Sequence, residues 1–115
     1  MSIELNQQEC CEHYGAQYQP VKTGQLVAIS KGIYEGVTPV EGVRYPSPEH
    51  MSGWWLTTDE YDGNIDSLVT VHFEHIIEKR PELALYMALP FGYRFNLGGE
   101  SEHVWLDQEV AQESI

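Results

Sequence analysis

The apolar positions of this chain fall into short runs separated by Gly, Pro and acidic residues. Residues 26–30 read Leu-Val-Ala-Ile-Ser, and a short apolar run with β-branched members is typical of a mostly buried strand. Residues 43–45 and 53–57 have strand-like patterns too, and 68–72 predict either a strand or the lead-in to a helix. Because Gly and Pro recur between 32 and 42, we expect an irregular loop or a short hairpin there.

A helical pattern begins near Phe73, from which apolar residues recur at spacings of three and four. Pro81 ends this helix and can open a second one, because proline is well tolerated in a first turn. We therefore predict two short helices, at about 73–80 and 81–89.

Two short alternating runs, 93–97 and 103–106, flank a Gly-rich connection, which is a β-hairpin signal. Strands that flank a helical pair without regular βαβ alternation predict an α+β fold with a mainly antiparallel sheet. At 115 residues the chain is expected to be a single domain, 1–115, since two domains would each be too small to bury an adequate core. The polar, acidic ends 1–20 and 107–115 are expected to be less ordered, although a short helix over 4–13 is compatible with the sequence.

The charge of the chain is strongly acidic and unevenly placed. Six Lys and Arg face 18 Asp and Glu, which gives a formal net charge of −12. Phosphate binding is built from Lys and Arg, so the composition argues against nucleic acid as a direct ligand. Residues 1–20 hold three acids and 99–115 hold five, with no Lys or Arg in either stretch, so only the middle of the chain carries cations.

The sequence contains neither a membrane span nor a secretory signal that we can identify. No run of about 18 apolar residues occurs, and the polar N-terminus lacks a basic and an apolar region. Cys10 and Cys11 are neighbours, too close for an ordinary structural disulfide. We therefore expect a cytoplasmic protein with reduced thiols and no membrane partner.

Metal and catalytic motifs are weak or absent. His72 and His75 lie three apart and could join the two cysteines in a zinc site, but adjacent cysteines are poor zinc spacing. An EF-hand loop centred on Gly63 would need an acid at Thr58 and a Glu at Val69, so the calcium motif fails. Signatures of a catalytic nucleophile or a phosphate loop are also missing. We therefore expect that the protein is not an enzyme and that it binds neither a metal nor a cofactor.

Trp54 and Trp55 are adjacent, so on a strand their side chains point to opposite faces. One of them can enter the core, while the other is either exposed to solvent or covered by the 32–50 loop. An exposed Trp beside the acidic stretch 59–66 has the composition of an interface hot spot with a charged rim. The alternative is that 59–66 is simply a solvated turn between two strands.

The order of several segments carries a family resemblance. The segments are Ser30-Lys31 after an apolar strand, Gly53-Trp54-Trp55-Leu56 with Asp59-Glu60 three residues on, a helix from Phe73 to Arg80, and Pro90-Phe91-Gly92-Tyr93-Arg94-Phe95. Over residues 25–97, which form the predicted core, this order resembles the immunity protein 33 family. The chain departs from the family pattern at Leu56, where Phe is usual, and at Thr58, where Gly is usual.

The resemblance implies an α+β protein that is encoded beside a bacterial polymorphic toxin and neutralises it by binding. It implies no catalytic residue and does not specify which residues touch the toxin. We hypothesise a cognate toxin that is basic, since an acidic protein is steered toward a basic partner. The predicted partner-binding residues are Trp55, Asp59, Glu60, Tyr61, Asp62 and Asp66.

Two other functions remain open from the sequence. The first is a small acidic adaptor, or nucleic-acid mimic, that occupies a basic DNA-binding protein. The second is a small hydrolase or metal-dependent enzyme.

Overall fold

The computed structural model describes residues 3–99 and 102–112, and this part of the chain has an α+β fold. Its helices are α1 (Ile3–His13), α2 (Phe73–Lys79), α3 (Pro81–Ala84) and α4 (Gln108–Gln112). Its strands are β1 (Leu26–Ile29), β2 (Val40–Arg44), β3 (Met51–Thr58), β4 (Val69–His72), β5 (Tyr93–Leu97) and β6 (His103–Leu106). A single 3-10 turn, Ile65–Ser67, precedes β4.

The strands of the described residues form one sheet in the order β4-β1-β3-β2-β5-β6. Only β1 and β3 run parallel, and the other four pairings are antiparallel. The prediction of an α+β domain with a mainly antiparallel sheet is therefore confirmed. The predicted hairpin is also present, since β5 and β6 pair antiparallel.

One face of the sheet, which we call the core face, packs against α1, α2 and α3. On β3 it presents Ser52, Trp54, Leu56 and Thr58, all of them buried, as period-two alternation requires. Trp54 is the member of the Trp pair that enters the core, with no exposed surface. The opposite, outer face carries Trp55.

The side chain of Arg44 is buried on the core face without a carboxylate among its hydrogen-bond partners. Its Nε donates to the carbonyl of Ser52 at 2.9 Å. Its Nη1 lies 2.6 Å from the carbonyl oxygen of Gln19, 2.9 Å from that of Leu89 and 3.4 Å from that of Met87. One guanidinium thus joins the segment after α1, strand β3 and the segment after α3.

Aromatic rings complete the environment of Arg44. Its guanidinium carbon lies 5.0 Å from the ring centroid of Phe91 and 5.7 Å from that of Trp54. Burial lowers the pKa of Arg44 to about 10, so the side chain stays charged at neutral pH.

The second predicted helix is shorter than the expected 81–89. Helix α3 ends at Ala84, and the residues that follow it form turns. Carbonyl groups that a longer helix would use internally bond to distant parts of the chain instead. Ala84 accepts from the side chain of Gln7, and Met87 accepts from Trp54 Nε1 at 2.8 Å and from Arg44. Tertiary hydrogen bonds therefore replace the helical pattern.

The two ends of the domain contain helices that pack against it. On α1, Gln7 and Cys11 are buried, and Cys11 Sγ lies 3.5 Å from the carbonyl oxygen of Ala88. On α4, Val110 is buried beside β2, although it lies outside the main core cluster. That the ends are less ordered than the middle stays a prediction, but α1 is part of the packed structure.

Replacing Arg44 tests how much this network contributes to stability. In Arg44→Met, the buried carbonyls of Ser52 and Leu89 and the partly buried carbonyl of Gln19 lose a charged donor. An unsatisfied buried acceptor costs about 1–3 kcal/mol. We expect the free energy of unfolding, measured by urea denaturation, to fall by about 2–4 kcal/mol, since several acceptors lose their donor together.

Arg94→Met is the matched control, since Arg94 makes a partly exposed ion pair of 3.2 Å with Asp107. Such a pair contributes about 1 kcal/mol or less. Equal losses of stability in the two variants would show that the Arg44 network has no special role.

Candidate partner-binding surface

The segment 59–68 joins β3 to β4, and we call it the acidic connection. Because β3 and β4 are the two neighbours of β1 in the sheet, the segment passes over the end of β1. Its acidic residues Asp59, Glu60, Asp62 and Asp66 are all exposed, while Tyr61 is half-buried. Five of the six predicted partner-binding residues therefore lie on one surface segment.

The acidic connection holds its own shape through local hydrogen bonds. Oδ1 of Asp62 accepts from the backbone N–H of Asn64 at 2.9 Å and from the hydroxyl of Ser67 at 3.0 Å. Oδ1 of Asn64 accepts in turn from the N–H of Asp66 at 3.0 Å and begins the 3-10 turn. The bonds to Asp62 lower the pKa of its carboxyl group.

A second loop, residues 32–37, stands beside the acidic connection and is fixed by buried polar contacts. The hydroxyl of Thr58 donates to the carbonyl of Lys31 at 2.7 Å. Nη1 of the buried Arg80 donates to the carbonyl of Ile33 at 2.7 Å. Gly32 has a φ of +99° and packs against Thr58 so closely that a Cβ would collide with its side chain.

A cavity of about 440 Å³ lies between this loop, the acidic connection and the start of β4. It is lined by Ile29, Ser30, Lys31, Tyr34, Glu35, Ser67 and Val69. The hydroxyl of Tyr34 is buried, and the described residues offer it no hydrogen-bond partner. Val69, in the cavity lining, and Ile65, on the acidic connection, are 56% and 59% exposed, the highest values among the large hydrophobic residues that the structure describes as exposed.

The negative charge of this region outweighs the positive charge beside it. Residues 45–78 contain no Lys or Arg, but they contain Glu49, Glu74 and Glu78 besides the four acids of the acidic connection. Two cations elsewhere, Arg44 and Arg80, are buried and bond mainly to backbone carbonyls. Lys31 is exposed and lines the cavity, so the four carboxylates of the acidic connection are balanced only in part.

Trp55 lies on the outer face of β3, apart from the acidic connection. It is half-buried beside Ala28 and meets the ring of Tyr45 edge-on, with 5.5 Å between the centroids. No hydrogen bond or ring contact between described residues joins Trp55 to the acidic connection. Both sequence alternatives hold in part, because the ring is partly exposed and is also partly covered by Tyr45 from the 32–50 segment.

Sequence reasoning missed Ile65 and Val69 as surface residues. Ile65 is an isolated apolar residue between Asn64 and Asp66, and this isolation was the available signal that it lies outside the core. Val69 belongs to an apolar run, so its exposure could not be read from the pattern. It is exposed because β4 is the last strand of the sheet.

The residues considered as zinc ligands do not converge. His72 and His75 stack edge-on at 5.8 Å where β4 meets α2, whereas Cys10 and Cys11 lie on α1. Across the described ranges, no group of three or more His, Cys, Asp or Glu side chains could hold a metal ion.

Cys10 lines a separate groove of about 470 Å³ with Tyr86 and Glu102, whose side chains share a hydrogen bond of 2.9 Å. Burial, with Cys11 and Glu102 nearby, raises the pKa of Cys10 to about 11. This thiol is therefore protonated at neutral pH and is a poor nucleophile.

Comparison with known protein families assigns the chain to one of them. The model of the Imm33-like domain matches residues 6–107, so the chain belongs to the Imm33-like domain family, and the resemblance seen in the sequence is confirmed. The match begins within α1 and is broader than the expected core of 25–97. Neither a curated protein nor a solved structure matches the chain. None of the described helices is long and apolar enough to cross a membrane.

The pKa of Asp62 leads to a test of the acidic connection. Because the folded-state pKa lies below the ordinary value of 3.8, ionised Asp62 stabilises the fold above that pH, and the stabilisation disappears as the pH falls through the folded-state pKa. We expect Asp62→Asn to have a lower Tm than the wild type at neutral pH, with the difference shrinking below about pH 4.

Asp59→Asn serves as the control, since the structure shows no hydrogen bond to the carboxylate of Asp59. A Tm difference for Asp62→Asn that stayed constant down to about pH 2 would contradict the assigned hydrogen bonds.

Proposed function

We propose that this chain is an immunity protein that binds and neutralises a cognate bacterial toxin. Membership in the Imm33-like family carries the proposal, because the family name denotes an immunity-type domain and such a domain acts on a toxin partner. The chain acts in the cytoplasm as a non-enzymatic inhibitor, and protein–protein contact is sufficient for this role.

The contact surface of the proposal is the acidic connection, together with Trp55 on the outer face of the neighbouring strand β3. Four exposed carboxylates on a loop that holds its own shape cost little to order on binding. They favour a basic toxin surface, for which complementary charge raises the rate and specificity of association.

The same acidity supports one alternative, a small adaptor or nucleic-acid mimic that occupies a basic DNA-binding protein. The product of the neighbouring reading frame discriminates the two functions. If that product is a toxin domain that binds this chain, the immunity function is supported. If it is a DNA-binding protein without toxicity, the nucleic-acid mimic is supported.

Charge reversal tests the contact surface. In the double variant Asp59→Lys and Glu60→Lys, two exposed carboxylates without side-chain partners become cations, so the fold should be unaffected. We expect the Kd for the co-expressed neighbouring toxin domain to rise at least about tenfold at low salt, and the wild-type affinity to weaken steadily with salt. Isothermal titration calorimetry over a salt series measures both effects.

The matched control is Glu9→Lys and Glu12→Lys on α1, which changes the net charge equally at another place. If both double variants weakened binding to the same extent, overall charge rather than the acidic connection would govern association. A wild type that fails to bind the toxin domain, or to protect cells from it, overturns the proposed function.

Trp55→Ala tests separately whether the outer face of β3 takes part in binding. A half-buried Trp that also meets the partner behaves as a hot spot, for which truncation costs about 2 kcal/mol or more of binding free energy. We expect a loss of affinity of at least about thirtyfold. Trp105→Ala is the control, because Trp105 is 41% exposed but lies three strands away on β6. Unchanged affinity in Trp55→Ala would remove Trp55 from the contact surface.

A further inference from the structure

Strand β4 is a terminal strand of the sheet, paired on one side with β1. In its antiparallel register Val71 lies opposite Val27, and Val69 lies opposite Ile29. In the same register Phe73 lies opposite Gln25. Its N–H donates to the carbonyl of Gln25 at 3.1 Å, so these two residues form a hydrogen-bonded pair. Since hydrogen-bonded and non-bonded pairs alternate, Val71 and Val69 also bond to β1.

The residue between them, Thr70, therefore directs its backbone N–H and C=O away from β1. Thr70 is exposed, as is His72, the other residue with an outward N–H. A row of free backbone groups on a terminal strand is a template for pairing with another chain.

The side chains along this edge add an apolar centre and a charged border. Val69 and Ile65 expose more than half of their surface, and the cavity lined by Tyr34 and Glu35 opens beside Val69. The acidic connection leads directly into the strand and carries four exposed carboxylates, whereas the cavity lining contains one cation, Lys31. Charge complementarity at this edge favours a basic partner.

We propose that the partner adds a short, extended, basic segment as an additional strand on the free edge of β4. Its backbone pairs with Thr70, an apolar side chain covers Val69 and Ile65, and its cationic side chains face the acidic connection. Strand addition of this kind draws affinity from main-chain hydrogen bonds and specificity from alternate side chains. The inference rests on the proposed function, since it says how the toxin is held.

The opposite edge of the sheet, β6, is a less suitable acceptor. Its Trp105 lies under the guanidinium of Arg94 at 5.5 Å, and Arg94 pairs with Asp107. Aromatic and charged groups at this edge are therefore already engaged within the chain. The same alternation applies to β6. Asp107 donates its N–H to the carbonyl of Gly92, so these two residues are a hydrogen-bonded pair, and Val104, three residues earlier, directs its N–H away from β5.

These two positions give a matched pair of proline variants. Thr70→Pro and Val104→Pro each remove one outward N–H from a terminal strand, a position where proline is tolerated because no ladder bond is lost. We expect Thr70→Pro to raise the Kd for the neighbouring toxin domain at least about tenfold, and Val104→Pro to leave it within about twofold of wild type. Urea denaturation of both variants establishes that they remain folded.

Amide hydrogen exchange on the wild-type complex provides a measurement that needs no variant. We expect the amide of Thr70 to become protected when the toxin domain binds, and that of Val104 to be unchanged. Binding without protection of Thr70, or full affinity in folded Thr70→Pro, overturns strand addition and leaves the proposed function intact. A wild type that does not bind the toxin domain overturns both.

Discussion

The buried guanidinium of Arg44 is the interaction on which the arrangement of the domain depends. A charged group with 2% of its surface exposed is tolerated only when it is hydrogen-bonded, and here Nε and Nη1 donate to backbone carbonyls from three separate segments. The segment after α3 must leave its helical path for its carbonyls to reach Arg44, and the segment after α1 must pass close to the sheet. One side chain thus fixes the positions of the connections that pack on the core face.

The burial of two arginines also affects the charge of the protein surface. Arg80 bonds to the carbonyl of Ile33 and to Glu82, so it holds the 32–37 loop against the helices rather than contributing to the surface. Because both arginines are buried, the exposed cation beside the acidic connection is Lys31, which faces four carboxylates. Structural needs and the acidic surface are therefore linked, because cations used for packing are not available to neutralise it.

The candidate surface combines features that lie on different parts of the sheet. The acidic connection and the 32–37 loop meet at the end of β1, and the free edge of β4 begins at the same place. Trp55 points to the outer face and packs against Tyr45. A partner that contacts all of these groups must wrap around the edge of the sheet, whereas one that contacts only the edge would leave Trp55 to its structural role beside Ala28.

Local patterns in the sequence were sufficient for most of the fold. Apolar runs and turn residues located β1, β3, β5 and β6, and the spacing from Phe73 located α2, because each signal acts within a few residues. Strand β2 begins at Val40, inside the segment predicted as a loop or hairpin, and β4 was one of two alternatives for 68–72. Segment order likewise identified the family, and the charge pattern identified the acidic connection. The tertiary structure alone decided three features: the early end of α3, the burial of Arg44, and the exposure of Val69. Each depends on which distant groups come to lie beside a residue. A carbonyl bonds to a guanidinium rather than to its own helix, and a valine stays uncovered at the last strand, only once the whole sheet has been assembled.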